Sequence, residues 1–211
     1  MMTKVDFKKT LKPLYGPKPK KYEIIEIPKM NFLMIDGIGS PGTSEAYMDS
    51  LGALYPMAYK TKFLAKAMDK DYVVPPLEGL WWADDMNDFV ADNKDNWRWT
   101  MMIMQPEWVT EDMIEQARDM ARQKNPPKLL DNVRFESYDE GVVAQYLHIG
   151  SYADEAPVLQ YMHKQYIPEQ GYKMPDLTAK VNKHHEIYLS DPRRVAPEKL
   201  KTILRQPVEL I

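Results

Sequence analysis

Four residues near the C-terminus invite a chemical reading: His184-His185-Glu186 and Tyr188. On a strand, successive side chains point to opposite faces. Glu186 and Tyr188 would share one face, and Ile187 and Leu189 the other. The same alternation drives the two histidines apart, so they do not chelate one ion together. A zinc-protease motif needs a second histidine three places after its glutamate, and Leu189 stands there. His148 and His163 are the remaining histidines and there is no cysteine, so no metal site and no cofactor are expected. One histidine of the pair is expected at the surface. If Ile187 and Leu189 meet the helices, Glu186 and Tyr188 face away from them. Trp97, Trp99 and Met101 alternate in the same way, as do Tyr146 and His148. A sheet face holding several aromatics is costly to leave in water. A carboxylate set among aromatics tends to a raised pKa, suited to holding a cation or taking a proton. The plain alternative is an amphipathic strand with Glu186 in solvent.

Gly37-Ile38-Gly39-Ser40-Pro41-Gly42 spells the dinucleotide pattern G-x-G-x-x-G. That motif needs a second parallel strand ending in an acid about 20 positions on. Here that position falls in a long helical stretch, and Pro41 removes one backbone donor. A turn using glycine's freedom is the better reading.

Composition narrows the partners. Lys and Arg number 28 against 31 Asp and Glu, a net charge of −3. Nucleic acid is therefore not expected as the main partner, since phosphate binding needs a basic footprint. No apolar run approaches 18 residues, so no transmembrane helix or membrane partner is expected. No signal peptide is expected either, because no apolar stretch follows Lys4, Lys8 and Lys9. Zero cysteines exclude disulfides and a thiol nucleophile and fit a cytoplasmic protein. The 15 Met and 23 aromatics are unusual and would suit either a Met- and Tyr-rich core or a pocket for a flat apolar ligand. Nothing in the composition fixes an oligomeric state.

The elements that must position these residues follow from periodicity. Residues 1–21 carry seven lysines and read as a basic, solvated arm. Tyr22–Ile27 and Met30–Gly37 read as a hairpin turning at Pro28-Lys29. Thr43 to Asp69 reads as helix, with Gly52 and Pro56 expected to break or kink it near Leu54. Leu77–Ala83 and Trp97–Met104 read as strands joined by an acidic connection with Asp84, Asp85, Asp88, Asp92 and Asp95. Thr110 to Lys124 is a capped helix burying Met113, Ile114, Ala117, Met120 and Ala121. Val133–Tyr138 and Gly141–Ile149 read as a second hairpin, then Asp154 to Ile167 as helix and His184–Ser190 as strand. Pro197 to Leu204 reads as a short helix. Hairpin, glycine and helix thus recur, with Gly37 and Gly150 in equivalent places. The fold class is α+β: antiparallel sheet with helices, in two pseudo-repeats of about 22–108 and 133–211. Two similar halves imply a cleft at their junction.

The C-terminal run His185-Glu186-Ile187-Tyr188-Leu189-Ser190-Asp191-Pro192-Arg193-Arg194, followed by Pro197-Glu198-Lys199-Leu200-Lys201-Thr202-Ile203-Leu204-Arg205, resembles the signature of GyrI-like small-molecule-binding proteins. Glu78-Gly79-Leu80-Trp81-Trp82 and His148-Ile149-Gly150-Ser151-Tyr152 fit the same family. The resemblance spans Tyr22 to Val208 and makes 22–211 one such domain. It implies duplicated strand-helix-strand-strand modules, a central aromatic cleft, and one buried glutamate at the position of Glu186. Relatives of this kind include drug-sensing domains of transcription regulators, a gyrase inhibitor, and stand-alone enzymes that hydrolyse cyclopropane-bearing DNA-alkylating drugs. The chain shows no additional helix-turn-helix segment and so resembles the stand-alone branch.

Three functions compete. The first is a hydrolase in which aromatic walls stack on a flat electrophile and Glu186 deprotonates a water that attacks the ring CH₂. A tyrosine hydroxyl or tryptophan N–H would stabilise charge developing on the substrate's carbonyl oxygen. Tyr55, Trp82, Trp99, Tyr146 and Tyr188 are the candidates for walls and donor. Trp81 and Trp82 point to opposite sides, and Trp82 is taken as the inward one. The second is a module that sequesters lipophilic cations, with Glu186 as counter-charge. The third is a protein that shields a partner such as gyrase through an acidic surface.

Overall fold

The two connections that read as hairpin turns are not hairpin turns. In the computed structural model, which describes residues 4–41, 44–85, 93–123, 125–175 and 183–211, β1 (Tyr22–Ile27) and β2 (Met30–Ile38) each pair elsewhere. β1 lies antiparallel to β6 (Gly141–Ile149), from Tyr22 opposite Tyr146 to Ile27 opposite Gly141. β2 lies antiparallel to β5 (Arg134–Tyr138), from Met30 opposite Tyr138 to Met34 opposite Arg134. The cause is turn chemistry. A two-residue hairpin loop of type I′ or II′ needs positive φ at its first central residue. Proline locks Pro28 at negative φ, and Asp139-Glu140 offers no glycine. The chain runs on instead of folding back, and it crosses at both places between two compact units: Met1–Thr10 with Met30–Tyr138, and Leu11–Lys29 with Asp139–Ile211.

In the first unit the strand order is β3 (Leu77–Trp82), β4 (Arg98–Gln105), β2, β5. After two single-turn helices earlier in the chain, α1 (Phe7–Thr10) and α2 (Lys12–Tyr15), the 23-residue helix α3 (Glu45–Ala67) packs on β2 and β4. The Ser44 hydroxyl caps it by accepting from the Tyr47 N–H at 3.2 Å. The expected break does not occur: α3 is continuous through Gly52 and Pro56. An interior proline costs a helix about 3 kcal/mol. Ala53, Leu54, Met57, Ala58 and Ala65 are fully buried along this helix, and a large apolar side chain gains about 1.5–3 kcal/mol on burial, so packing outweighs the lost bond. Helix α4 (Glu111–Arg122) begins at Thr110, whose hydroxyl accepts from the Met113 N–H, and buries Met113, Ile114, Ala117 and Ala121. Met120, expected in that stripe, is partly exposed. The helical boundary residues Thr43 and Lys124, together with Gly42, Asp88 and Asp92, lie outside the described residues.

In the second unit the order is β1, β6, β9 (Lys201–Pro207), β8 (His184–Tyr188), while β7 (Tyr172–Lys173) pairs separately with β10 (Glu209–Leu210). Helix α5 (Glu155–Tyr161) continues as a π-helical turn, Met162–Tyr166. The helix expected over Pro197 to Leu204 is instead a single 3₁₀ turn, Pro197–Lys199, followed by β9. β9 is flanked by strands on both sides and buried on both faces from Thr202 to Pro207, so it shows none of the in-out alternation that marks a half-buried strand.

The two units match element for element: β2-α3-β3-β4 and β6-α5-β8-β9, each completed by one further strand, β5 or β1. The equivalent glycines are Gly39 and Gly150 rather than Gly37 and Gly150. Gly39 donates to the Trp97 carbonyl at 2.8 Å and Gly150 to the Leu200 carbonyl at 3.1 Å, and both have positive φ.

The N-terminal segment is also not merely solvated. Val5 bridges to Tyr72, and the Phe7 ring packs on Tyr72 and Trp108. Leu14, Tyr15 and Pro17 are buried. A lysine-rich composition hid a few apolar anchors.

Candidate functional site

The matching of the two units shows how a site arises. In the first unit, Gly37, Trp99 and Trp81 stand side by side across three strands. Trp99 is fully buried and lies directly over Gly37, where even a methyl group would clash at 2.0 Å. Its N–H donates to the Gly39 carbonyl, and Tyr47 of α3 meets its ring edge-on. This face is filled. In the second unit the corresponding row is His148, Thr202 and Tyr188. A small threonine occupies the place of the tryptophan, and a glutamate, Glu186, that of Gly79. Into the space left by Thr202 reaches Glu155, from the first turn of α5.

The resulting cluster is polar and acidic. The Tyr188 hydroxyl donates to Glu186 Oε2 at 2.7 Å, and His184 Nε2 lies 3.4 Å from Glu186 Oε1. Glu155 lies against Thr202, is 6% exposed, and has a buried Oε1 with no hydrogen-bond partner among the described residues. Burial, and then the negative charge of Glu186, push the Glu155 carboxyl up to about 9, against the pull of Thr202. It is therefore a neutral acid at pH 7. Tyr152 sits edge-on to Tyr188 at 6.0 Å. Partial burial and the charges of Glu186, Glu155 and Asp191 raise its hydroxyl to about 12. On the π-helical turn, burial and then His184 lower His163 to about 4, although its bond to Gln206 opposes this. π-Turns often mark functional sites.

Glu186 and Tyr188 thus face the helix of their own unit, not away from it. The expectation failed because both faces of this sheet are covered. Ile187 lies on the other face with His185, which is 1% exposed and not at the surface. There Glu140 accepts from the His185 ring at 2.9 Å and from Arg205 at 3.3 Å. Arg205 also donates to Gln145 and to the Leu14 carbonyl, and Gln145 to the Pro13 carbonyl. Burial would raise the Glu140 carboxyl, but His185 and Arg205 hold it below its ordinary value. This network ties the arm to the sheet.

The remaining sequence candidates fall in both units. Tyr146 shares the Glu186 face two strands away and packs at 4.3 Å against Tyr22, whose ring also meets Tyr161 and Tyr166. Tyr55, Trp82 and Trp99 belong to the first unit. Tyr55 stacks on Tyr59 along α3; Trp82 is half-buried at the end of β3; and Trp99, with no solvent exposure, is core. Its neighbour Trp81 is the more buried of the Trp81-Trp82 pair. Sequence reasoning missed Glu155, Tyr152, His163 and Thr202. Glu155 was hidden because an acid in a helix's first turn looks like a partner for the helix dipole. Ser151 and Asp154 do form such a capping box there.

Comparison with known proteins points the same way. The family profile described as GyrI-like small molecule binding domain matches residues 20–209. A crystal structure of a hydrolase from Listeria innocua is 42% identical, covers 98% of this chain and 100% of its own, and superposes with a TM-score of 0.84. An uncharacterized conserved protein from the same organism, also 42% identical with the same coverage, reaches 0.86. The C-terminal domain of EcmrR, 14% identical over 90% of this chain and 98% of its own, has a TM-score of 0.54 and shares the fold. The search of curated proteins returned no match. Among the described residues no helix is long and apolar enough to cross a membrane.

Proposed function

The chain belongs to the GyrI-like small-molecule-binding family, and from that premise we propose that it binds planar, apolar electrophiles at the Glu186 face and adds water to them. The observation that carries this is the fixed carboxylate. Tyr188 holds Glu186 Oε2 at 2.7 Å, while the side chain stays 16% exposed and open to a water molecule. A carboxylate so oriented takes a proton from water as that water attacks. The edge-to-face pair Tyr152 and Tyr188 offers apolar area beside it. The hydrolase from Listeria innocua, 42% identical over nearly the whole chain, supports hydrolysis over simple capture.

The substrate class that suits this chemistry is a strained ring conjugated to a carbonyl. Water adds at the ring CH₂, the ring carbon–carbon bond breaks, and its electrons move to the carbonyl oxygen. The biological role proposed is protection of the cytoplasm from DNA-alkylating compounds of this type. The test is incubation with a spirocyclopropyl-cyclohexadienone of the duocarmycin type, followed by mass spectrometry for the gain of one water. The second reading, sequestration of lipophilic cations, draws on the same acidic cluster. Under it, Glu186→Gln weakens a cationic dye and spares a neutral one, and no probe gains water.

A further inference from the structure

The hydrolytic reading leaves one charge unattended. As the strained ring opens, a negative charge grows on the substrate's carbonyl oxygen, and something must meet it. The sequence points to a tyrosine hydroxyl or a tryptophan N–H. Two of these donors are engaged: the Tyr188 hydroxyl donates to Glu186, and the Trp99 N–H donates to Gly39 within the first unit. Three groups of the cluster hold a buried polar atom without a hydrogen-bond partner among the described residues: Glu155 at Oε1, His163 at Nε2 and His184 at both ring nitrogens. Of these, Glu155 is the carboxylic acid. Glu155 is 6% exposed, lies against Thr202, and has an Oε1 that is buried without a hydrogen-bond partner among the described residues. An unpaired buried carboxyl oxygen is expensive to keep in a folded protein, which points to a role that only a ligand completes. Thr202 stands directly opposite Tyr188 on the neighbouring strand, so the two carboxyls belong to one cluster.

We propose that Glu155 is the proton donor of this site, with its Oε1 hydroxyl directed at the substrate's carbonyl oxygen. The assignment rests on the hydrolytic reading above. The step balances as follows. Glu186 takes a proton from water, and the water oxygen bonds to the ring CH₂. The ring carbon–carbon bond breaks and its electron pair becomes a phenolate, which takes the Glu155 proton. Substrate plus water gives a hydroxymethyl phenol. The Glu186 proton then returns to Glu155 through solvent. Around Glu155, burial and then Glu186 on β8 disfavour loss of the proton, and Thr202 on β9 opposes them; Tyr152, just before α5, is raised in turn by the Glu186 and Glu155 charges. His184 sits beside Glu186.

The experiment has two arms. In the first, Glu155 is followed by ¹³C-carboxyl NMR in the ligand-free protein. It is expected to be protonated at pH 7 and to titrate near 9; an ionised Glu155 at pH 7 overturns the assignment whatever the substrate. In the second, kcat/KM for the spirocyclopropyl probe is measured between pH 6 and pH 10.5 in wild type, Glu155→Gln and Tyr152→Phe. Wild type is expected to lose activity as pH rises through about 9. Glu155→Gln keeps shape and the Thr202 contact but transfers no proton. It should lose about 10²- to 10⁴-fold at pH 7 and show no fall near 9. Tyr152→Phe should keep the fall, because the Tyr152 hydroxyl lies near 12. Full activity in Glu155→Gln with the fall intact overturns the donor role and leaves hydrolysis standing. An equal loss at every pH with the fall retained marks Glu155 as structural and overturns it too. No turnover by wild type overturns the hydrolytic reading, and this assignment falls with it.

Discussion

Glu155→Gln should gain stability relative to the wild type as pH rises, by an amount that the Glu155 carboxyl sets. The folded protein holds the Glu155 proton up to about 9, whereas the unfolded chain releases it near 4.5. The folded state is the one that binds the proton more tightly. Its contribution is therefore fully present below 4.5 and is lost progressively as pH rises toward 9. At about 1.4 kcal/mol per pH unit, keeping this carboxyl protonated costs on the order of 3 kcal/mol of stability at pH 7 relative to pH 4.5. Glutamine carries no such cost. The stability of Glu155→Gln relative to wild type should thus rise by on the order of 3 kcal/mol from pH 4.5 to pH 7, roughly 6–12 °C in melting temperature for a chain of this size. Urea unfolding of both proteins at three or four pH values measures it. A relative stability that does not change with pH, or that falls as pH rises, would refute the placement of Glu155 as a buried neutral acid. Residues that weaken a fold while serving a site are a usual origin of stabilising substitutions.

Other expectations concern the frame. Arg205→Ala leaves Glu140 buried with His185 as its remaining side-chain partner and removes the donor to the Leu14 carbonyl. It should cost about 3–5 kcal/mol and expose residues 11–21 to protease. Because Glu140 is held below its ordinary value, its contribution is present at neutral pH and lost as pH falls through its folded-state pKa, so the difference between Arg205→Ala and wild type should shrink in acid. Gly37→Ala places a methyl group 2.0 Å from the Trp99 ring and should lower stability by about 1–3 kcal/mol in thermal unfolding. Trp99→Ala should cost about 3–5 kcal/mol, and a loss of ligand affinity without that loss of stability would contradict its place in the core.

The repeat, the α+β class and most strand positions were legible because hydrophobic alternation and glycine-marked strand ends are local signals. Strand partners were not. Pro28-Lys29 and Asp139-Glu140 look like hairpin punctuation, and only the demand for positive φ in a two-residue loop argues against it. β9 was misread because a strand buried on both faces loses its period of two, and Pro197 in front of it imitates a helix start. At the site, Glu186 and Tyr188 were legible as a pair on one face of a strand. Which face they take depends on which side the helix covers, a long-range fact. Glu155 was hidden behind a capping box. Thr202 becomes informative only when its row is set against Gly37, Trp99 and Trp81, which requires the pairing register.

The most direct measurement is turnover of a spirocyclopropyl-cyclohexadienone in ¹⁸O-labelled water by wild type and by Glu186→Gln, read by mass spectrometry. The account predicts a product carrying one labelled oxygen on the former ring CH₂ with wild type. With Glu186→Gln the rate should drop about 10²- to 10⁴-fold while the fold is unchanged by circular dichroism. Undiminished labelling in Glu186→Gln, or a wild-type product whose new oxygen is unlabelled, would contradict water activation by Glu186.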